Sequence, residues 1–310
     1  MDHHKQTSLM ELTPKDLRAI ELLEKYNRHN LVENLDDYHL LVDTLIYLHE
    51  AMAEQQVQIK YWQKDSETLF YKFAFHGLTL HQILTGLKLS SVYYKDRMNG
   101  KSIIDISSAK AILRTQFEAF LMYHYIYVNP IDDDLKELRY NAWIYSSLLQ
   151  RQEFPSEMEF GKQQKARDLI ELNKMKEIIN KLKSFQSLSP KQQQSLLNTG
   201  SGKLFSHWAT ILKETGFSES NPFYTIYTLL SVYAHSEGLS IIQLSHQPDS
   251  HKNAISQANL DLHHSKLLVC LMINSIMELH EVVKKKYQTL PDKTKYDIEI
   301  YSTMAKRYIA

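Results

Sequence analysis

Glycine and proline are scarce in this chain, with eight and seven residues among 310. That is less than half their usual combined share of roughly 12%. Long breaker-free stretches rich in Leu, Lys, Glu and Gln favour helices, because these straight side chains lose little rotamer freedom there. No run shows sustained strand alternation, and no fixed-period repeat is present. At 43% hydrophobic and 23% charged residues the chain can bury a core, which excludes wholesale disorder. The expected fold class is all-α, a multi-helix bundle of roughly nine or ten helices with room for an N-terminal helical hairpin.

Local signals divide the chain. Thr13-Pro14 is a helix opening, a capping hydroxyl followed by proline in the first turn, for a helix to Arg28. A second helix is expected from about residue 34 to residue 62 and a third from Asp65-Ser66 to about residue 97, broken by Asn99-Gly100. Asp105, Ser107 or Ser108 caps the next, which stops before Pro130. Asp132 begins a helix to about Glu153, with Tyr140, Trp143, Ile144 and Leu148 on one apolar side. A long exposed helix lies between Pro155 and Pro190. LLNTGSGK (196–203) reads as a loop; it lacks the Gly-Lys-Ser/Thr ending and preceding strand of a phosphate cradle. A short helix closes at Gly216, and Ser220-Asn221-Pro222 opens another. The longest apolar-periodic helix spans 255–288, and Pro291 separates it from a terminal helix over about 295–308. The expected organisation is a hairpin at 1–64, a main bundle at 65–290 and a C-terminal helix at 291–310.

Lysine plus arginine and aspartate plus glutamate number 36 each, so no global field draws nucleic acid or anionic membrane. Cys270 is the single cysteine, set in LLVCLMI, which excludes a disulfide framework or a Cys-rich zinc site and predicts a buried structural thiol. The start, MDHHKQTSLMELTPKDL, has no signal-like apolar stretch, and the longest apolar runs fall short of the roughly 20 residues that span a bilayer. The expectation is cytoplasmic, with no membrane contact.

Polar groups on apolar helices mark the candidate site. In NPFYTIYTLLSVYAHSEGLS, spacings of three and four place Tyr224, Tyr227, Ser231 and His235 within roughly 80° of one another. Arg114 and Glu118 lie one turn apart on a second apolar helix, among Leu113, Phe117, Phe120 and Leu121. Such groups are costly to bury alone, so they are expected to meet each other or a ligand. An Arg–Glu pair suits either a structural clasp or an anion pocket. His235 is either a general acid–base group or a core link satisfied by a carboxylate such as Glu118. The Ser231/His235 pair lacks a third orienting acid and is a weak nucleophile signature.

No metal site and no cofactor are expected. His3-His4, His246, His251 and His263-His264 lack the spacing of a zinc hydrolase, and Asp261 with His264 supplies two ligands only. Between Lys162 and Lys183, seven basic residues stand against three acidic. That segment is either a solvated helix face or a contact for RNA, and Lys284-Lys285-Lys286 reads the same way. Tyrosines and tryptophans without a strand platform exclude RRM-like and OB-like modules. The apolar face over 255–288 suggests a protein partner or a homo-oligomer.

The run from Asp105 through Arg114 and Glu118, then His207-Trp208, then Tyr224, Tyr227, Ser231 and His235, resembles a widespread family of uncharacterised bacterial helical proteins. The resemblance covers about residues 73–244. It implies an all-helical fold and a cytoplasmic bacterial origin, and brings no established activity. A looser resemblance is to HEPN ribonucleases and nucleotide-binding toxins, which often sit in defence or toxin–antitoxin loci. Their hallmark is an Arg, a polar residue, a few positions and then His on one helix. Here Ser231 stands where that Arg belongs, so Arg114 would have to substitute from another helix. The functional expectation is a binding or interaction module with a pocket of Arg114, Glu118, Tyr227, Ser231 and His235. One alternative is a metal-independent ribonuclease or phosphodiesterase with His235 as base, Arg114 on the phosphorane charge and Tyr227 or Ser231 orienting. The other is a structural homo-oligomer.

Overall fold

The structure is a computed structural model, and it describes residues 12–90, 92–93, 100, 102–215, 217, 222–234, 238, 241–242 and 251–307. Among them are thirteen α-helices, one 3-10 turn, one π-helical turn and a two-stranded ladder, so the fold is all-α as composition predicts. Contacts group the chain into two units. The first draws on Met1–Glu54, Gly77–Leu113 and Val232–Arg307, the second on Gln55–His76 and Arg114–Ser231. The expected boundaries at 64/65 and 290/291 do not coincide with these units.

In the first unit, α1 (Pro14–Arg28) opens on a reciprocal cap. Thr13 Oγ1 accepts from Asp16 N, and the Asp16 carboxylate accepts from Thr13 N at 2.9 Å. Left-handed His29 (φ 51°) ends it. α2 (Leu31–Glu54) starts earlier than expected because Asn30 Oδ1 accepts from Val32 N. It also stops short of Trp62, which sits instead in a 3-10 turn, Tyr61–Gln63, in the second unit. α3 (Ser66–Thr85), which enters this unit at Gly77, ends at Gly86 (φ 101°), where a Cβ would strike the Ser102 hydroxyl. The chain then forms β1 (Leu87–Lys88), antiparallel to β2 (Ser102–Ile103), with Leu87 opposite Ile103. The expected helix to residue 97 is thereby corrected; a glycine with φ > 0 and a cross-chain ladder end it early.

α11 (His251–Leu279) is the spine of the first unit, packed against α2 and α13 (Asp292–Arg307). Leu262, Leu267, Val269, Cys270, Met272, Ile273 and Ile276 on α11 are fully buried, as are Tyr38, Leu45 and Leu48 on α2. The face that suggested a homo-oligomer is therefore used inside the unit. The expected 255–288 helix is interrupted by extended His280 (φ −134°, ψ 106°), which leaves α12 (Glu281–Gln288) as a separate segment. Polar links cross this interior. Asn34 Nδ2 donates to Asn259 Oδ1 at 2.8 Å, Lys266 donates to Asn34 Oδ1, and Tyr38 shares a 2.7 Å hydrogen bond with Ser265. Arg18 grips Asp297 bidentately at 2.6 and 2.8 Å. Each link satisfies buried groups in one register of the helices only.

In the second unit, α5 (Asp133–Glu153), capped by Asp132 at Leu135 N, packs on α6 (Glu159–Lys181). Their core of Leu138, Ala142, Tyr145, Leu172, Met175 and Ile179 also takes Phe185 of α7 (Lys183–Gln186) and Leu196 of α8 (Pro190–Thr199). On α6, Lys162, Arg167, Lys174, Lys176 and Lys181 are exposed. α4 (Ile106–Tyr123) is capped by Asp105 at Ser108 N and runs into a π-helical turn, His124–Val128, before Pro130. α9 (Trp208–Glu214) and α10 (Pro222–Ala234) complete the described helices. Among the described residues no helix is long and apolar enough to cross a membrane.

Candidate functional site

Second-unit residues on α4, on α10 and in the loop before α9 build one polar cluster. On α4, the one-turn spacing lets Arg114 Nε donate to Glu118 Oε1 at 3.1 Å. On α10, Tyr227 donates its hydroxyl to the same oxygen at 3.0 Å. The Arg114 guanidinium lies 5.8 Å from the Tyr227 ring centre. Tyr227 is wedged between Phe117, edge-on at 5.8 Å, and Trp208, tilted at 6.1 Å. The residue is almost wholly buried, and burial followed by the Glu118 charge pushes its pKa well above the ordinary phenol value. At neutral pH Tyr227 is thus a fixed neutral donor. The Arg114 and Glu118 side chains remain 15% and 26% exposed.

Lys203 adds a second cation. Its ammonium sits 4.3 Å above the Trp208 ring, and burial depresses its pKa while Glu118 pulls the other way. Among the described residues no hydrogen bond or ion pair reaches that ammonium. The loop that carries it is unusual. Gly200, Leu204 and Phe205 all have positive φ, at 75°, 42° and 69°. For Leu and Phe such a backbone costs of order 1–3 kcal/mol each and persists only where surroundings enforce it. Here Tyr125 donates to Lys203 O at 3.0 Å, Ser201 Oγ accepts from Phe205 N at 2.6 Å, and Ser206 N donates to Lys203 O. Leu204 and Phe205 pack on the α5–α8 core, which offsets the strain.

The structure brings together Arg114, Glu118 and Tyr227 as the sequence predicts. Ser231 does not join them; its hydroxyl bonds back to Tyr227 O at 3.0 Å within α10, the usual outlet for a helical serine. Tyr224 is half-buried, and its carbonyl accepts from Thr228. His235 lies outside the described residues. Lys203 was not legible as a site residue, since only its loop character shows in LLNTGSGK. The sole signal was its nearness in sequence to Trp208.

Asp261 and His264, weighed as two metal ligands, have other roles in the first unit. Asp261 is paired with Lys110 at 2.7 Å, both side chains almost wholly buried, and burial pushes the pKa of His264 down to about 3. Among the described residues no group of three or more His, Cys, Asp or Glu is arranged to hold a metal ion. Cys270 is buried, and its thiol is pushed up by desolvation. No family model matches the chain, and neither a curated protein nor a solved structure matches it.

Proposed function

We propose that this chain is a cytoplasmic bacterial binding module whose ligand site is the Arg114–Glu118–Tyr227 cluster. The defence or toxin–antitoxin setting follows from the HEPN resemblance alone. The observation that carries the reading is the convergence of two donors, from α4 and α10, on a single carboxylate oxygen of a side chain that stays partly open to solvent. The pair is neither sealed in the core nor free in water, and a part-buried Arg–carboxylate clasp with a phenol donor presents fixed polar geometry to a ligand. The ribonuclease alternative requires His235 as base, and no described residue favours it. Contact with RNA through Lys162–Lys183 is likewise a proposal, supported only by the exposure of that face.

A thermal-shift screen of small metabolites against wild type, Glu118→Gln and Tyr227→Phe tests the reading. At about 100 times its Kd, a ligand that uses the cluster stabilises wild type by about 2.7 kcal/mol, a shift of several degrees. That shift is expected to vanish in Glu118→Gln, while each variant alone melts within about 2 °C of wild type. Large losses of Tm in both variants, with no compound distinguishing them from wild type, would make the cluster structural. RNA cleavage that His235→Ala abolishes, with the fold intact, would replace the module with the nuclease.

A further inference from the structure

Among the described residues the Lys203 ammonium has no hydrogen bond or ion pair, and Glu118 attracts it only without direct contact. An ammonium held half out of water against an indole face gains a cation–π contact. That does not replace the hydrogen bonds its three N–H groups made to water. Glu118, the nearby carboxylate, is already taken up by Arg114 and Tyr227 through Oε1. Among the described residues of the cluster, two cations, Arg114 and Lys203, accompany the one carboxylate of Glu118. A flexible lysine would relieve this by swinging outward, and the loop works against that. Its backbone is pinned at Lys203 O by Tyr125, whose ring lies under the Arg139 guanidinium at 3.9 Å. Two left-handed non-glycine residues follow directly, held by packing on the α5–α8 core. Strain retained beside a cation with no direct partner among the described residues is the pattern of a pre-organised anion contact.

We infer that the site binds its ligand through an oxyanion, a phosphate or carboxylate group, received by the Lys203 ammonium with Arg114 as the second cation and the Trp208 and Tyr227 rings as walls. This rests on the cluster being a ligand site and adds the class of ligand. A doubly charged phosphate gains more from two cations than a singly charged carboxylate, so it is the tighter binder of the two.

The test is titration of the full chain with inorganic phosphate and, separately, sodium acetate, with chloride holding ionic strength constant. Binding is read by calorimetry and by Trp208 fluorescence. Wild type is expected to bind phosphate at millimolar or better. Lys203→Met should weaken it about tenfold or more, and Lys203→Arg should restore it to within about threefold. Lys176→Met, at an exposed lysine on α6, controls for diffuse charge and should change nothing. Phosphate above acetate assigns a phosphorylated ligand; acetate equal or above assigns a carboxylate. Should Lys203→Met misfold by circular dichroism, Lys203→Gln takes its place. The inference falls if wild type binds neither anion at 10 times millimolar concentration, about 10 mM, or if Lys203→Met binds as wild type does. If a screened ligand needs Glu118 but is indifferent to Lys203, the module reading stands and this one fails. Anion binding that needs Lys203 but survives Glu118→Gln unchanged keeps the anion contact and removes the cluster reading.

Discussion

Replacing Lys110 by methionine is the sharpest test of the first unit's interior. Lys110 and Asp261 face each other at 2.7 Å with side chains 2% and 1% exposed, and the ammonium also lies 5.3 Å from the Tyr233 ring centre. Asp261 Oδ2 is buried without a hydrogen-bond partner among the described residues. Methionine keeps the length and apolar stem of lysine, so repacking costs under about 1.5 kcal/mol. The charge effect is larger, since a buried carboxylate stripped of its partner costs about 3–5 kcal/mol. In wild type, burial already raises the Asp261 pKa above its ordinary value, with Lys110 opposing. A carboxyl raised in the folded state contributes stability that is complete below its unfolded pKa and is lost as pH rises through the folded pKa. Without Lys110 the folded pKa climbs further, so the penalty grows between about pH 4 and pH 7. With a urea slope of about 2–3 kcal/mol/M, the midpoint should fall by about 1–2 M at pH 7 and by well under half that near pH 4. Far-UV circular dichroism follows the transition. Fluorescence reports the second unit separately, because Trp62, Trp143 and Trp208 all belong to it. Lys110→Met/Asp261→Leu should regain most of the loss, as apolar replacements of buried pairs do. A midpoint change below about 0.3 M at pH 7, an equal change at both pH values, or a double variant no better than the single one would refute the reasoning.

Two further outcomes are expected. Gly200→Ala should destabilise the second unit by about 1–3 kcal/mol, because the left-handed φ is strained for alanine and its Cβ would sit 3.0 Å from Ser146 Cα; a fluorescence-monitored urea midpoint equal to wild type would contradict this. His49 is buried and His263 and His264 are partly so, and desolvation pushes their pKa values down to about 4, 4 and 3. Depressed values mean stability that is intact above pH 6.5 and lost as pH falls toward 4, so Tm should drop steeply across that window and less steeply in His264→Gln.

Local signals were read correctly where the physics is local. Thr13, Asp105 and Asp132 cap helices through contacts three residues ahead, and Pro130 limits α4 and its π-turn from two positions away. The pairing of Arg114 with Glu118 is likewise a property of one helical turn. The Ser231 hydroxyl donates to the carbonyl four residues back, a partner that side-chain phase alone does not reveal, while His235 lies outside the described residues. The end of α3 at Gly86 depended on Ser102 coming alongside, and the break at His280 has neither glycine nor proline to announce it.

The all-α class follows from composition alone, since breaker-poor chains have few places to leave the helix and apolar periodicity says which stripe to bury. Sequence also named two helices on which polar groups would have to be answered. Tertiary structure decided who answers them. Tyr227 meets Glu118 from 109 positions away, Asp261 meets Lys110 from 151, and the Lys203 loop is held over Trp208 by a tyrosine on α4's continuation. Capping and helical pairing are energies between neighbours, legible in order along the chain. The partner of a buried charge is chosen by packing, which sequence spacing does not encode.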